Sequence, residues 1–494
     1  MLLLATLIVA TTYWQTWASA NLAARQDNEI QRVAQFEIRR GLIFSSNGKT
    51  VLASNLRRKI AGQTLYFRTY PTGGLAAQVV GYSTQSRSRA GLERTENSYL
   101  TGSNANLGTL LNTIGDRLKG TTIKGNSLVL TLDVRAQKVA ESLLRGKCGA
   151  VVALNPKTGA VYAMASTPSY DPNLIEKRSG YAKVQATKSP CPPEPAAPLL
   201  NRATQGLYPP GSTFKTITAA AALDDGVYTP DSTFTDPGYC TEYGKKVSNA
   251  LDQSGPEAFG VVNFVQAYEH SINAVFCNIG QKLGAQRILD EAKKFGFYSV
   301  PPLETPADAR SASGLYHHGK LFDPTSKGAY TEVDPGRLAF GQETMLATPL
   351  QMAMVAAAVA NKGKLMKPQI WNRVIDPDGR VTESLNPSEY SQPISSKTAE
   401  ELTTAMEGVV SEGTGTNAAI PGIAVAGKTG TAETPGNEAC GGGEEENQAW
   451  FMGFAPANEP KIAIAASVEC TEQFGNDVAA PIFRDVAETI LNGE

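Results

Sequence analysis

The chain has 494 residues, 41% hydrophobic and 19% charged, with 45 Lys and Arg against 47 Asp and Glu for a formal net charge of −2. At roughly 100–200 residues per domain this length holds two to four domains, and the balance excludes a nucleic-acid-binding footprint and a globally disordered chain. With only three histidines, chemistry built on a histidine base or histidine metal ligands is disfavoured.

The first charge in chain order is Arg25, and Leu2 to Tyr13 is almost wholly apolar, followed by Trp14 and Trp17. Such a run predicts a membrane segment over residues 1–24, with everything beyond it exported. Ala18-Ser19-Ala20 has the small-x-small form of a cleavage site, so a retained anchor and a cleaved signal both fit. Residues 25–145 mix short alternating runs with turns, such as Gly41 to Phe44 leading into Ser46-Asn47-Gly48, and predict a mostly β pedestal. The cluster Arg57-Arg58-Lys59 reads as a solvated face. A strand over Leu128 to Leu132 then passes into an amphipathic helix over Val134 to Leu144.

From residue 146 the pattern changes. Ala150 to Leu154, a turn over Asn155 to Gly159, and Ala160 to Met164 predict a hairpin. Helical stretches follow, including Ala219 to Asp225 closed by Gly226 and Thr348 to Asn361 closed by Lys362-Gly363. Three late strands are expected over Ile423 to Glu433, Gln448 to Pro456 and Lys461 to Glu469, then a helix over Val478 to Leu491. Two early strands, many helices and three late strands with a terminal helix predict an α+β domain over 146–494 whose antiparallel sheet is assembled from both ends. Six cysteines, at 148, 191, 240, 277, 440 and 470, fit an oxidising compartment or ordinary buried thiols, and they allow 15 connectivities. If the late strands form a meander, Cys440 in a connecting loop and Cys470 at the end of the third strand fall on one side and are the favoured pair. The acidic, glycine-rich loop Gly441 to Glu446 is either a bland solvated connection or a helper in admitting a peptide to a neighbouring cleft.

The chemistry-bearing stretch is Tyr208-Pro209-Pro210-Gly211-Ser212-Thr213-Phe214-Lys215. The prolines set Ser212 at a helix start, where free N–H groups favour developing negative charge, and Lys215 follows one turn on as a nucleophile–base partner. Alone, S-x-x-K occurs often by chance and reads as a serine cap beside a solvated lysine. Ser271-Ile272-Asn273 lies 59 residues downstream, and Lys428-Thr429-Gly430-Thr431 lies 157 residues beyond that, at one of the late strands. S-x-x-K, S-D-N and K-T-G in that order are the signature of penicillin-binding proteins and class A β-lactamases, and here the middle element takes the looser S-x-N form as S-I-N.

With these motifs the sequence resembles a class B penicillin-binding protein, a membrane-anchored peptidoglycan transpeptidase, of the penicillin-binding protein A type. Arg40-Gly41-x-Ile43 with Asn47-Gly48, Gly91-Leu92-Glu93 with Leu100-Thr101-Gly102, Leu130 to Asp133 with Gln137, Pro168 to Pro172 and Phe340-Gly341-Gln342 carry the likeness along the chain; Phe44-Ser45-Ser46 departs from it. The resemblance implies that Ser212 attacks the penultimate D-alanine carbonyl of a stem peptide, with Lys215 accepting the proton. Ser271 would relay that proton to the leaving amine, and Asn273 would hold Lys215 and substrate. Lys428 would supply positive potential, and Thr429 and Thr431 would hold the terminal carboxylate, with Gly430 between them. The backbone N–H groups of Ser212 and Thr431 would form an oxyanion hole. It also implies acylation by β-lactam antibiotics and a membrane glycan polymerase as partner, with no nucleic acid, metal or organic cofactor. A D,D-carboxypeptidase using water as acceptor, a β-lactamase, and a largely non-catalytic activator of the polymerase are the competing readings.

Overall fold

The computed structural model of the chain describes residues 3, 6, 7, 10, 11, 13, 35–103, 124–188, 197–242, 244–249, 258–324, 332–433 and 447–493. The expected membrane segment lies largely outside these, and Cys191, Cys440 and the loop Gly441 to Glu446 wholly so. Among the described residues no helix is long and apolar enough to cross a membrane.

Strands β1 (Ile43–Phe44) and β2 (Val51–Ile60) are joined by the expected turn. There Asn47 Oδ1 accepts from the N–H groups of Lys49 and Thr50, and Gly48 takes φ +65°. Strand β3 (Gln63–Thr69) pairs back on β2, leaving Arg57, Arg58 and Lys59 exposed. Helices α1 (Gly91–Thr95) and α2 (Asn97–Thr101) precede β4 (Ser127–Leu130). Asp133 then caps α3 (Val134–Leu143) by accepting from the Arg135 N–H.

The foreseen hairpin is β5 (Cys148–Leu154) and β6 (Val161–Thr167). Helices α4 (Lys215–Asp224), α5 (Phe264–Glu269), α6 (Asn273–Lys294) and α7 (Pro349–Ala360) build the helical lobe. Every residue of α7 is buried, as its apolar sequence on all sides requires, and Thr348, where the helical stretch was expected to begin, caps it by accepting from the Gln351 N–H. Strands β7 (Trp371–Ile375) and β8 (Val381–Ser384) precede α8 (Ser396–Ser411). The chain closes with β9 (Ala426–Glu433), β10 (Asn447–Ala455), β11 (Ile462–Thr471) and α9 (Gly475–Leu491). Strand β9 starts three residues later than its apolar run suggests, because Ile423 closes a turn by donating its N–H to Ile420 O.

Two sheets organise these elements. The first has the order β8-β7-β4-β1-β2-β3, with β1 and β4 parallel, so strands from well beyond residue 145 complete the sheet begun near residue 43. The second is antiparallel throughout, in the order β9-β10-β11-β5-β6, and is built from both ends of the domain as its pattern implies. Alternation along each strand divides the core. Trp450, Met452, Ala150 and Val152 pack with α4, α6 and α7, while Phe451, Ala449, Val151 and Ala153 pack with α3 and α9.

Cys240 and Cys277 form a disulfide that ties the hairpin 239–248 to α6. Cys148 and Cys470 are each disulfide-bonded as well, to partners outside the described residues, so no described cysteine is a free thiol. The expected Cys440–Cys470 pairing involves a residue outside the described set.

Candidate active site

A short 3₁₀ turn, Gly211–Phe214, runs directly into α4 at Lys215. Pro209 and Pro210 bring the chain to this point, and the Pro209 carbonyl accepts from the Trp450 indole N–H at 2.9 Å. Gly211 has φ +52°, and a Cβ on it would lie 2.9 Å from the Thr431 carbonyl oxygen, so glycine lets the Ser212 segment approach β9. Ser212 is half-buried at the helix start and Lys215 is 0% exposed.

The Lys215 ammonium donates to Asn273 Oδ1 at 2.7 Å, to Ser271 Oγ at 3.1 Å and to the Ser271 carbonyl at 2.5 Å. Lys428, also 0% exposed, donates to the same Ser271 Oγ at 2.9 Å and to the Thr429 carbonyl at 3.1 Å. One hydroxyl thus joins two buried amines that the sequence separates by more than 200 residues. The ring of Phe276 lies 5.4 Å from Lys215 Nζ, and that of Tyr268 lies 5.7 Å from Lys428 Nζ. Both distances are within the range in which an aromatic face stabilises a cation.

Ser271 lies not inside a helix but in the left-handed turn between α5 and α6, at φ +55°. Its N–H donates to Tyr268 O, and the next N–H, of Ile272, donates to Ala267 O, which closes α5 in the manner usually given to glycine. Asn273 opens α6, and its amide also reaches Ser248 O at 3.4 Å.

Strand β9 is an edge of its sheet, and it presents Lys428, Thr429, Gly430 and Thr431 to the Ser212 turn. Thr429 Oγ1 is 2.6 Å from Thr414 Oγ1, and Thr431 Oγ1 accepts from the Gly475 N–H at 3.1 Å. A Cβ on Gly430 would lie 2.8 Å from Pro210 O, so this position also sets how closely strand and turn meet.

All eight residues singled out in the sequence therefore come together where the start of α4, the turn between α5 and α6 and the edge strand β9 meet. Three supporting residues carried little or no sequence signal. Asn249 Oδ1 accepts from the Ala274 N–H at 2.9 Å and fixes the start of α6. Thr414 and Gly475 brace β9. Only Thr414 stood in a marked context, the Gly413-Thr414-Gly415 run. Among the described residues no group of three His, Cys, Asp or Glu side chains is arranged to hold a metal ion.

A serine at a helix start, a buried lysine one turn on and a second serine shared by two amines can carry acyl transfer without histidine. The chain belongs to the penicillin-binding transpeptidase family: residues 149–488 match the penicillin binding protein transpeptidase domain, and residues 40–128 match the penicillin binding protein A dimerisation domain. It is 32% identical over 508 residues to the peptidoglycan D,D-transpeptidase PbpA of Mycolicibacterium smegmatis, covering 98% of this chain and 95% of that protein. To the peptidoglycan D,D-transpeptidase MrdA of Acinetobacter baumannii it is 29% identical over 479 residues, covering 87% of this chain and 68% of that one. Its fold matches the ceftriaxone acyl-enzyme complex of penicillin-binding protein A from Mycobacterium tuberculosis with a TM-score of 0.79 at 30% identity, covering 93% of this chain and 100% of that structure.

Proposed function

We propose that this chain is a serine peptidoglycan D,D-transpeptidase in which Ser212 is the nucleophile. The observation that carries the reading is the sharing of Ser271 Oγ by the Lys215 and Lys428 amines at the mouth of α4. Lys215, fully buried one turn from Ser212 and next to the Ser271 hydroxyl, is the group we assign to accept the Ser212 proton. Ser212 Oγ then bonds to the carbonyl carbon of the penultimate D-alanine, and the tetrahedral oxyanion is met by the N–H groups of Ser212 and Thr431. Ser271 passes the proton to the departing nitrogen, the C–N bond breaks and D-alanine leaves. Asn273 steadies Lys215 and the substrate amide, and Thr429 and Thr431 hold the terminal carboxylate. An amine of a second stem peptide next attacks the acyl carbon, releases Ser212 and closes the cross-link. A β-lactam follows the first half of this path and stays bonded to Ser212.

The apolar run Leu2 to Tyr13 and the disulfide-bonded cysteines support a cell-membrane protein anchored by one segment, with its catalytic domain extracytoplasmic. Because cross-linking consumes nascent glycan strands, a membrane glycan polymerase is the partner we assign to the anchor and to the pedestal, residues 25–145.

The test is the intact mass of the detergent-solubilised chain mixed with benzylpenicillin, beside Ser212→Ala. A lasting adduct of one drug per chain, absent from the variant, is expected. A fast-vanishing adduct with hydrolysed drug would indicate a β-lactamase, and none in folded protein would leave the non-catalytic activator. Release of D-alanine from a donor peptide without incorporation of an acceptor amine would indicate the D,D-carboxypeptidase.

A further inference from the structure

Thr414 lies in the loop after α8, buried, and it touches both the end of α5 and the edge strand β9. Its N–H donates to the carbonyl of Glu269, two residues before Ser271, and its hydroxyl is 2.6 Å from that of Thr429 on β9. Flanking glycines make this approach possible. A Cβ on Gly413 would lie 2.4 Å from Glu269 O, and one on Gly415 would lie 3.0 Å from the Phe451 ring.

The polarity of the Thr414–Thr429 contact follows from proton counting. Each hydroxyl has one proton to donate, and a carboxylate only accepts. If Thr429 gives its proton to the terminal carboxylate of the donor peptide, it cannot also donate to Thr414, so the 2.6 Å contact must then run from Thr414 to Thr429. With both side chains buried, no bulk water stands in for the missing donor.

We propose that Thr414 is a positioning residue for substrate: by donating to Thr429 it aims the Thr429 proton at the incoming carboxylate. The inference rests on the transpeptidase reading, and on Thr429 as the carboxylate donor within it. It makes Thr414 sensitive to one feature of the substrate, the negative charge, and indifferent to the bond being broken.

The experiment compares Thr414→Val and Thr414→Ser with wild type in acylation by benzylpenicillin and by its methyl ester, which lacks the carboxylate. For benzylpenicillin, Thr414→Val is expected to lower the second-order acylation constant about tenfold, through weaker binding, with the rate at saturation little changed. Thr414→Ser should restore it to within about twofold. For the ester, wild type and Thr414→Val should react alike. Equal slowing of both compounds, or of neither, would overturn the proposal, because a residue that merely supports the fold does not distinguish acid from ester. If Thr414→Val does not fold, the smaller Thr414→Ala carries the same comparison. Failure of wild type to acylate at all would count instead against the transpeptidase reading.

Discussion

Ser271 shows what the cleft asks of one residue. A left-handed position closing α5 suits glycine, whereas an L side chain there is strained by roughly 1–2 kcal/mol. The chain keeps a serine because only a hydroxyl can bridge Lys215 and Lys428. Ser271→Ala and Ser271→Gly should therefore both slow benzylpenicillin acylation by about 10²-fold or more, the usual scale for a lost proton relay. They should part in stability, with the glycine variant about 1 kcal/mol more stable in denaturant unfolding because it alone relieves the backbone. Equal stability would show that the turn stores no strain. The motif residues were legible because proton transfer needs set side chains at set spacings. Thr414, Asn249 and Gly475 were not, since each acts through one contact with a distant segment, and spacing encodes no such contact.

At the scale of elements, helix α9 starts hard against the sheet edge that carries the site. A Cβ on Gly475 would lie 2.3 Å from Trp450 O and 2.5 Å from Gly430 O, both backbone atoms that cannot swing aside. Gly475→Ala should displace α9 or β9, costing about 1–3 kcal/mol and slowing acylation together, whereas a change confined to the core would cost stability alone. The pedestal is held by a different device. Glu93, fully buried, takes Arg40 at 2.8 Å and Arg68 at 2.5 Å. Burial pushes the Glu93 carboxyl up, but the guanidiniums outweigh it and hold the group below the usual carboxylate range. Its stabilisation is therefore present above its ordinary value and lost as pH falls through the lowered one. Glu93→Gln strands two buried cations and should cost about 3–5 kcal/mol in urea unfolding at pH 7; a loss below 1 kcal/mol would mean that the arginines find other partners. The central sheet was readable because its strands alternate cleanly and cluster at both ends of the domain. The addition of β7 and β8 to the pedestal sheet was not, because strand propensity names no partner across more than 200 residues.

Across the whole molecule, pedestal and catalytic lobe meet at three carboxyl groups. Glu96 precedes α2, Glu383 lies on β8, and Glu304 comes from the loop before the 3₁₀ turn Ala307–Ala309. Glu304 Oε2 accepts from the Ile370 N–H at 2.9 Å, and the Tyr99 hydroxyl donates to Glu383 Oε2 at 2.6 Å. Burial, and then the like charges of Glu304 and Glu383, push Glu96 up to about 7; burial also raises Glu304 to about 7. An acid raised in the folded state binds its proton there more tightly than in the unfolded chain. Its cost is therefore absent below about pH 4.5, grows between about 4.5 and 7, and is complete above that range. This junction should loosen as pH rises, opposite in sign to the Glu93 cluster, which weakens only in acid. Glu96→Gln removes one raised carboxyl and should flatten the fall in melting temperature between pH 5 and 8. At pH 8 the variant should exceed wild type by about 1–3 kcal/mol, a gain of a few degrees. The exposed Arg94–Asp308 pair, which also crosses the junction at 2.8 Å, offsets little of that cost. A wild-type melting curve that does not move between pH 5 and 8, or a Glu96→Gln variant no more stable at pH 8, would show that these carboxyls are solvated as the pedestal and lobe meet.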